Sequence, residues 1–144
     1  MFTFAYPGVF RRGEDGRVVV RFPDFANAAT DGIDVGEAME EAIDCLGSVI
    51  AFAISDKKDV PRPSRLKRGQ KLVPVPYWIA GKLALYWAIR DERLSQSELA
   101  RRLGVRETVV RRLLDPRHDT RPEKLQAVLS VLGKRLMMVC DDAA

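Results

Sequence analysis

The sequence predicts an α+β fold in which a small β-sheet covered by a helix precedes an all-α helix-turn-helix region. Three observations carry this prediction. Apolar side chains alternate along the first thirty residues, as in strands, but recur at three- and four-residue spacing from residue 34 onward, as in helices. Near the carboxyl end, two short amphipathic segments meet at Gly104 and carry arginines on their outer faces. A proline-rich stretch separates the two patterns.

The amino-terminal part is predicted to begin with a β-hairpin. Its first strand contains aromatic residues that alternate with smaller ones, namely Phe2, Phe4 and Tyr6. The glycine-flanked turn from Gly13 to Gly16 leads into the β-branched run from Val18 to Val20. We expect a third short strand around residues 28–30, so that this part opens with three strands in succession.

A helix is expected to follow and to cover one face of the sheet. Asp34 is placed to cap this helix, since Glu37 three residues later completes a capping box. The helix should run to about Ser55. Its buried face should consist of the apolar residues that recur at helical spacing, namely Ala38, Ala42, Leu46, Val49 and Phe52.

The composition changes between residues 57 and 76, which contain four prolines and seven lysines or arginines. We therefore assign residues 1–60 to a first domain, 61–76 to an interdomain linker and 77–144 to a second domain. An alternative stays open at this stage. Residues 70–75 can add an edge strand to the sheet, which would extend the first domain to residue 76.

Charge is distributed unevenly along the chain. Residues 1–60 carry six basic and eleven acidic side chains, a net charge of −5, whereas residues 61–144 carry eighteen basic and nine acidic ones, a net charge of +9. The isoelectric point near 9.3 hides this division. Only the carboxyl-terminal part suits a polyanion, and the amino-terminal part is expected to repel one.

The helix-turn-helix is predicted from residue size and spacing. Ser95 and Glu98 form a capping box, so a first helix begins near Gln96. Gly104 can end this helix in the left-handed conformation. In the second helix, Val110 and Leu113 lie three residues apart and point inward.

The remaining side chains of the second helix face solvent or a DNA groove. Arg111 and Thr108 are the expected base readers, because an arginine reaches the two acceptors of guanine and a threonine methyl packs on thymine. Ser95 and Gln96 are expected at phosphates. The candidate DNA-binding residues are Ser95, Gln96, Arg106, Glu107, Thr108, Arg111 and Arg112. The alternative is that these arginines form the solvated face of an ordinary helical bundle.

Other elements complete the second domain. A helix from Trp78 to Ile89 should pack under the two motif helices through Ile79, Leu83, Tyr86 and Trp87, and a helix that starts at Thr120 should end at Gly133. Residues 135–140 are predicted to form a short terminal strand. A lone strand needs a partner, so we expect it to pair with its counterpart in a second copy, giving a homodimer or higher even oligomer. The alternative is pairing with the sheet of its own chain.

The sequence argues against several classes of protein. No apolar run approaches a membrane span, so we expect a cytoplasmic protein with no membrane partner. Cys45 and Cys140 form neither a metal cluster nor a disulfide framework. No catalytic residues are assigned: Glu14, Asp24 and Asp31 come from turns without a common focus, and His118 has no nucleophile nearby in sequence. We therefore expect no enzyme activity, no metal and no cofactor.

The order of these motifs resembles that of HicB-type antitoxins. The resemblance covers nearly the whole chain and rests on segments 22–25, 30–32 and 37–42, together with Lys82-Leu-Ala-Leu-Tyr86, Glu98-Leu-Ala-Arg-Arg-Leu-Gly104 and Leu132-Gly-Lys-Arg-Leu136. One departure is that residues 26–28 read Ala-Asn-Ala, where members often carry Pro-Gly-Cys.

The resemblance implies a first domain with a partial ribonuclease-H-like fold that binds and masks a small HicA-type mRNA-cleaving toxin. The second domain would then bind the operator of its own operon. An acidic module can occupy the basic surface that such a toxin needs for RNA. We expect the toxin contacts near the turn at residues 22–25, at Asp24, Asp31, Asp34 and Glu37. The alternative is that these residues form a solvated acidic rim with no partner. The rival hypothesis is a stand-alone transcription regulator whose first domain senses a ligand in a cavity lined by Phe4, Phe22 and Phe52.

Overall fold

The computed structural model of the chain describes residues 3–142. These residues fall into two compact units that divide between Ala80 and Gly81. The predicted strand position at Phe2 lies outside the described residues. The structure confirms a mixed α+β architecture, in which an antiparallel sheet with one helix is followed by a helical region.

The first unit is built on a four-stranded antiparallel sheet. The strands are β1 (Ala5–Arg12), β2 (Val18–Phe22), β3 (Phe25–Gly32) and β4 (Lys71–Pro74), in the order β3-β2-β1-β4. All three neighbouring pairs are antiparallel. The predicted hairpin is formed by β1 and β2, and the third strand is longer than the sequence indicated.

The hairpin register decides which face of the sheet is buried. The turn closes through a hydrogen bond of 2.7 Å from the Gly13 amide to the Arg17 carbonyl, and Gly16 takes a positive φ of 82°. Val18, Val20 and Phe22 then point to the same side and are buried. This side is the surface on which the helix of the first unit packs.

Helix α1 (Val35–Ser55) covers that face of the sheet. As predicted, the Asp34 carboxylate accepts a hydrogen bond of 2.8 Å from the Glu37 amide. The predicted buried face was wrong beyond Leu46, because Ile50 and Ile54 are buried and Phe52 is 67% exposed. Every residue from 49 to 54 is apolar, so both continuations fit a helical period, and only contact with the sheet selects one.

The proline-rich segment packs on the first unit instead of bridging two domains. The Tyr6 hydroxyl donates a hydrogen bond of 2.6 Å to the carbonyl of Pro61, and burial raises the pKa of this hydroxyl, so it stays protonated and donates. The Asp24 carboxylate accepts hydrogen bonds from the Ser64 amide and hydroxyl at 3.0 and 3.1 Å. The chain then enters β4, which pairs with β1. This is the edge strand that the sequence analysis gave as an alternative.

The second unit is helical. It contains most of α2 (Tyr77–Asp91), then α3 (Gln96–Leu103), α4 (Glu107–Leu114) and α5 (Pro122–Val131). These four helices share one apolar cluster, whose buried members are Leu85, Ala88, Ile89, Leu99, Ala100, Val110, Leu113, Leu125, Val128, Leu129 and Leu132. From α2 the cluster takes Leu85, Ala88 and Ile89. The predicted Ile79, Leu83, Tyr86 and Trp87 are buried too, but they lie on other sides of the helix.

Two predictions for the end of the chain need correction. Thr120 does not cap α5, because Arg121 occupies the cap position without a side-chain hydrogen bond and the Thr120 hydroxyl is used elsewhere. Residues 134–142 form no strand in the single chain, neither with the sheet nor by themselves. Leu136 packs against the apolar cluster, whereas the next three residues are exposed.

The backbone of α1 approaches β3 closely at Gly32. A Cβ atom at this position would lie 2.3 Å from the backbone nitrogen and 2.8 Å from the Cα of Ala38. These are backbone atoms of the first turn of α1 and have little freedom to shift. Only glycine therefore lets the helix seat on β3 at this distance.

We predict that Gly32→Ala lowers the free energy of unfolding by about 1 to 3 kcal/mol, because the added methyl group pushes α1 off the sheet. Gly36→Ala is the matched control, since its Cβ would meet only the Asp34 carboxylate at 3.3 Å and alanine favours a helix. Urea denaturation of both variants measures the difference. Equal stabilities would show that the contact at Gly32 is not limiting.

Candidate nucleic-acid and partner-binding surfaces

Helices α3 and α4 form a helix-turn-helix at the predicted positions. The Ser95 hydroxyl caps α3 by accepting a hydrogen bond of 3.0 Å from the Glu98 amide. Gly104 ends α3 in the left-handed conformation, with φ 66° and ψ 34°. Two buried residues of each helix, Leu99 and Ala100 in α3 and Val110 and Leu113 in α4, then anchor the pair in the apolar cluster.

The predicted reading face of α4 is exposed. Glu107, Thr108, Arg111 and Arg112 are all accessible, and in a helix they lie on the side opposite Val110 and Leu113. Thr108 and Arg111 occupy the middle of this face, with Glu107 and Arg112 at its edges. Arg106 precedes the first turn, caps nothing with its side chain and is exposed as well.

The arginines of the motif fall into two groups by their contacts. Arg101 pairs with Glu98 at 2.5 Å, and Arg102 contacts Glu92 at 3.2 Å. In the described part of the chain, Arg106, Arg111 and Arg112 form no ion pair. Because an arginine already neutralised by a carboxylate attracts phosphate less, the guanidinium groups available to an external anion are those of α4 and its approach.

Two other predicted residues are partly used inside the protein. The Glu107 carboxylate accepts a hydrogen bond of 2.6 Å from the Ser97 hydroxyl, which links the start of α4 to α3. Gln96 is half-buried in the first turn of α3. Glu107 therefore has a structural contact as well as a place on the exposed face, and its charge disfavours a nearby phosphate.

A shallow cleft of about 250 Å³ lies beside α4 and brings together cations that are distant in sequence. Arg112 contributes from α4, while Arg121 and Lys124 contribute from the start of α5. The full lining is Val109, Arg112, Leu113, His118, Asp119, Thr120, Arg121 and Lys124. Sequence reasoning missed Arg121 and Lys124, since nothing local indicates that the loop after α4 folds back toward Arg112.

The net charges of the two units differ from those of residues 1–60 and 61–144, because the proline-rich segment belongs to the first unit. With residues 61–80 included, the first unit carries eleven basic and eleven acidic side chains, whereas residues 81–142 carry thirteen basic and nine acidic ones. The first unit is therefore neutral overall. Repulsion of polyanions was expected from the net charge of residues 1–60, and the net charge of the whole unit does not favour it.

The four carboxylates predicted to contact a toxin all have partners within the first unit. Asp24 binds Ser64, and Asp34 caps α1. Asp31 pairs with the Arg17 guanidinium at 2.6 Å, and this hydrogen bond lowers the pKa of the Asp31 carboxyl. Glu37 lies 4.0 Å from Arg17 and accepts a hydrogen bond from the Ile33 amide.

A different set of carboxylates is free. Glu40, Glu41 and Asp44 are exposed on α1 and form no ion pair among the described residues. With Glu37 they follow the spacing i, i+3, i+4, i+7, so they form one stripe on the side away from the sheet. Like charges at this spacing destabilise a helix. The same side ends in the exposed ring of Phe52, so an anionic surface with one apolar side chain faces outward.

Three further features concern metal binding, membrane spanning and the cavity of the rival hypothesis. Among residues 3–142, no group of three or more His, Cys, Asp or Glu is arranged to hold a metal ion. Within the same range, no helix is long and apolar enough to span a membrane. A cavity lined by Phe4, Phe22 and Phe52 does not form, because Phe22 is buried and Phe52 points into solvent.

These surfaces define a class of protein: a regulatory chain with a small α+β unit and a helix-turn-helix. The family described as HicB-like antitoxin of bacterial toxin-antitoxin systems matches residues 5–84. An antitoxin HicB 1 of Photorhabdus laumondii is 36% identical over 133 residues, or 92% of this chain and 84% of that protein. Antitoxin HicB of Escherichia coli K12 is 34% identical over 93% of this chain and 97% of its own length.

The chain belongs to the HicB-like antitoxin family. A more distant relative, antitoxin HicB of Pseudomonas fluorescens, is 27% identical over 90% of both chains. The family model ends at residue 84, whereas similarity over about nine-tenths of the chain must include the helix-turn-helix. The protein is therefore an antitoxin rather than an enzyme.

Proposed function

We propose that this antitoxin binds and neutralises a small HicA-type mRNA-cleaving toxin through its first unit and represses its own operon through the helix-turn-helix. The observation that carries the proposal is the helix pair α3 and α4 in a member of an antitoxin family, since Arg106, Arg111 and Arg112 are exposed and form no ion pair among the described residues. A major groove admits a helix such as α4 with its reading face outward.

The assignment of roles on DNA follows from position on α4. Arg111 and Thr108 lie at the centre of the exposed face, which enters deepest into a groove, and are proposed to contact base edges. Arg106 and Arg112 lie at its margins and are proposed to contact phosphates, as are Ser95 and Gln96 at the start of α3. Arg121 and Lys124 extend the cationic surface beside Arg112.

We predict that Arg111→Ala costs about 1 to 3 kcal/mol of binding free energy on the operator and relaxes the preference at one base pair. Fluorescence anisotropy on operator and scrambled duplexes measures both effects. Arg11→Ala, which removes an exposed arginine from β1, is the control and should change neither affinity. Equal losses of affinity for the two duplexes would exclude Arg111 as a base reader.

The toxin surface is proposed to lie on the outer side of α1. Glu37, Glu40, Glu41 and Asp44 present four carboxylates in one stripe, and three of them are unpaired among the described residues. A nuclease that binds RNA needs basic surface, so charge complementarity favours this contact. The carboxylates of Asp24, Asp31 and Asp34 are already hydrogen-bonded within the protein, so they are not placed in this contact.

We predict that Glu41→Lys combined with Asp44→Lys weakens capture of the toxin encoded beside this antitoxin by at least about tenfold, because attraction becomes repulsion. Co-expression followed by affinity purification and calorimetry measures the loss. Glu14→Lys in the hairpin turn carries the same kind of change away from α1 and should leave binding intact. If both sets of variants bind alike, the stripe is not the contact surface.

Dimer formation is proposed to depend on the terminal segment. Met137, Met138 and Val139 are 64%, 77% and 83% exposed, and consecutive exposed apolar residues of this size mark a contact surface. Pairing of this segment with its counterpart in a second copy would satisfy its backbone and provide the two-fold symmetry that suits a palindromic operator.

We predict that deletion of residues 137–144 converts a dimer or higher even oligomer into monomers and lowers operator affinity. The truncation keeps Leu136, which packs on the apolar cluster, so the helical unit should stay folded. Sedimentation velocity measures the mass of each form, and circular dichroism checks the fold. An unchanged oligomer after truncation contradicts the proposed role of this segment.

A further inference from the structure

The second unit contains a buried cation that the proposed DNA surface does not use. Lys82 lies in α2 and is only 3% exposed, and it is the one buried charged side chain among residues 3–142. Burying a charged ammonium is costly unless its donors are satisfied. Burial also lowers the pKa of Lys82, opposed by the charges of Asp115 and Asp119.

All three donors of the Lys82 ammonium are satisfied by groups around the end of α4. They contact the carbonyl of Arg112 at 3.0 Å, the carbonyl of Asp115 at 2.9 Å and the hydroxyl of Thr120 at 2.8 Å. None of these acceptors is a carboxylate. The contact is therefore a directional hydrogen-bonded anchor rather than an ion pair, joining α2 to the end of α4 and to the loop before α5.

Helix α4 ends without a glycine in the left-handed conformation. Gly104 follows α3 and Gly133 lies near the end of α5, both with positive φ, whereas α4 is followed by Asp115 in an extended conformation and then by Pro116. The Asp115 amide donates one hydrogen bond of 3.2 Å to the Arg112 carbonyl, and Lys82 adds a second donor to that carbonyl. As a cation from a neighbouring helix, Lys82 also interacts favourably with the negative end of the dipole of α4.

The position of α4 needs a directional contact in addition to its apolar packing. Of its eight residues, Val110 and Leu113 are buried, and Val109 and Leu114 pack on the same cluster while partly exposed. Apolar contact is non-directional, so this packing by itself does not fix the rotation and sliding of a short helix. Base contacts, in contrast, demand that side chains be held to within a fraction of an ångström.

We propose that Lys82 is a positioning residue for operator recognition: it holds the carboxyl end of α4 so that Thr108 and Arg111 meet the base edges in register. This inference rests on the proposed DNA-binding function. Lys82 is buried and does not touch DNA itself. Its loss should therefore reduce discrimination between sequences more than it reduces general attraction to phosphate, which depends on the exposed cations.

The test compares the affinities of the full-length protein for its operator and for a scrambled duplex of equal length. Lys82→Met keeps the length and burial of the side chain but removes the three donors. We expect operator affinity to fall by roughly tenfold or more, the scale of a good base contact, while affinity for the scrambled duplex changes less than about twofold. Lys134→Met, which changes an exposed lysine of the same unit that lies outside the proposed DNA surface, should leave the ratio of the two affinities unchanged.

A second pair of variants covers the case in which Lys82→Met does not fold. Thr120→Val removes one of the three acceptors and should lower the ratio in the same direction by a smaller amount, whereas Thr120→Ser keeps the hydroxyl and should restore it. Near-ultraviolet circular dichroism at the assay temperature establishes that each variant compared is folded.

Three outcomes overturn the inference. If the wild-type protein shows no preference for its operator, both the DNA-binding function and the anchor fail. If the wild-type protein discriminates and folded Lys82→Met discriminates equally well, only the anchor fails. If Lys82→Met does not fold, an unchanged ratio in Thr120→Val excludes the anchor.

Discussion

The helix-turn-helix depends on packing against other helices, because α3 and α4 have only eight residues each. Isolated helices of this length are unstable in water, so α3 and α4 are stabilised by the cluster they share with α2 and α5. Leu85, Ala88 and Ile89 on one side and Leu125, Val128 and Leu129 on the other form the support. The exposed arginines are held by this scaffold, not by the helices that carry them.

Charge in this protein is organised by surface and not by domain. The basic segment between residues 62 and 71 folds against the first unit and cancels its net charge, because Tyr6 and Asp24 hold its beginning and β4 holds its end. A stripe of exposed carboxylates remains where α1 faces away from the sheet. The protein thus carries a cationic surface and an anionic surface without opposite net charges on its two units.

Local sequence signals predicted the ends of the helices well. The capping boxes at Asp34 and Ser95 and the glycine at position 104 act through hydrogen bonds and backbone conformations within four residues. The structure reproduces α1 and α3 from those signals. The burial of α1 after Leu46 could not be obtained in this way, because its apolar residues allow two stripes and the sheet selects the one through Ile50 and Ile54.

The candidate sites also combine features that local sequence predicts with features that only the tertiary structure reveals. The exposed face of α4 follows from its own periodicity, since Val110 and Leu113 must point inward and the arginines outward. In contrast, the sequence contained no sign that Asp24 and Asp31 are occupied by Ser64 and Arg17, and their acidity alone made them candidates. The unpaired stripe on α1 becomes recognisable as a surface only after those internal pairs are known.

By itself, the sequence determined the strands of the hairpin, the helices α1 to α5, the caps at Asp34 and Ser95, the turn at Gly104 and the membership of a family, because these depend on neighbouring residues and on overall similarity. The tertiary structure decided the buried face of α1, the incorporation of the proline-rich segment and the contacts of Lys82. The contacts of the last two features join residues from 30 positions apart, between Lys82 and Arg112, to 69 positions apart, between Ala5 and Pro74. The physical reason is that local preference leaves several arrangements nearly equal in free energy, and long-range burial and hydrogen bonding select among them.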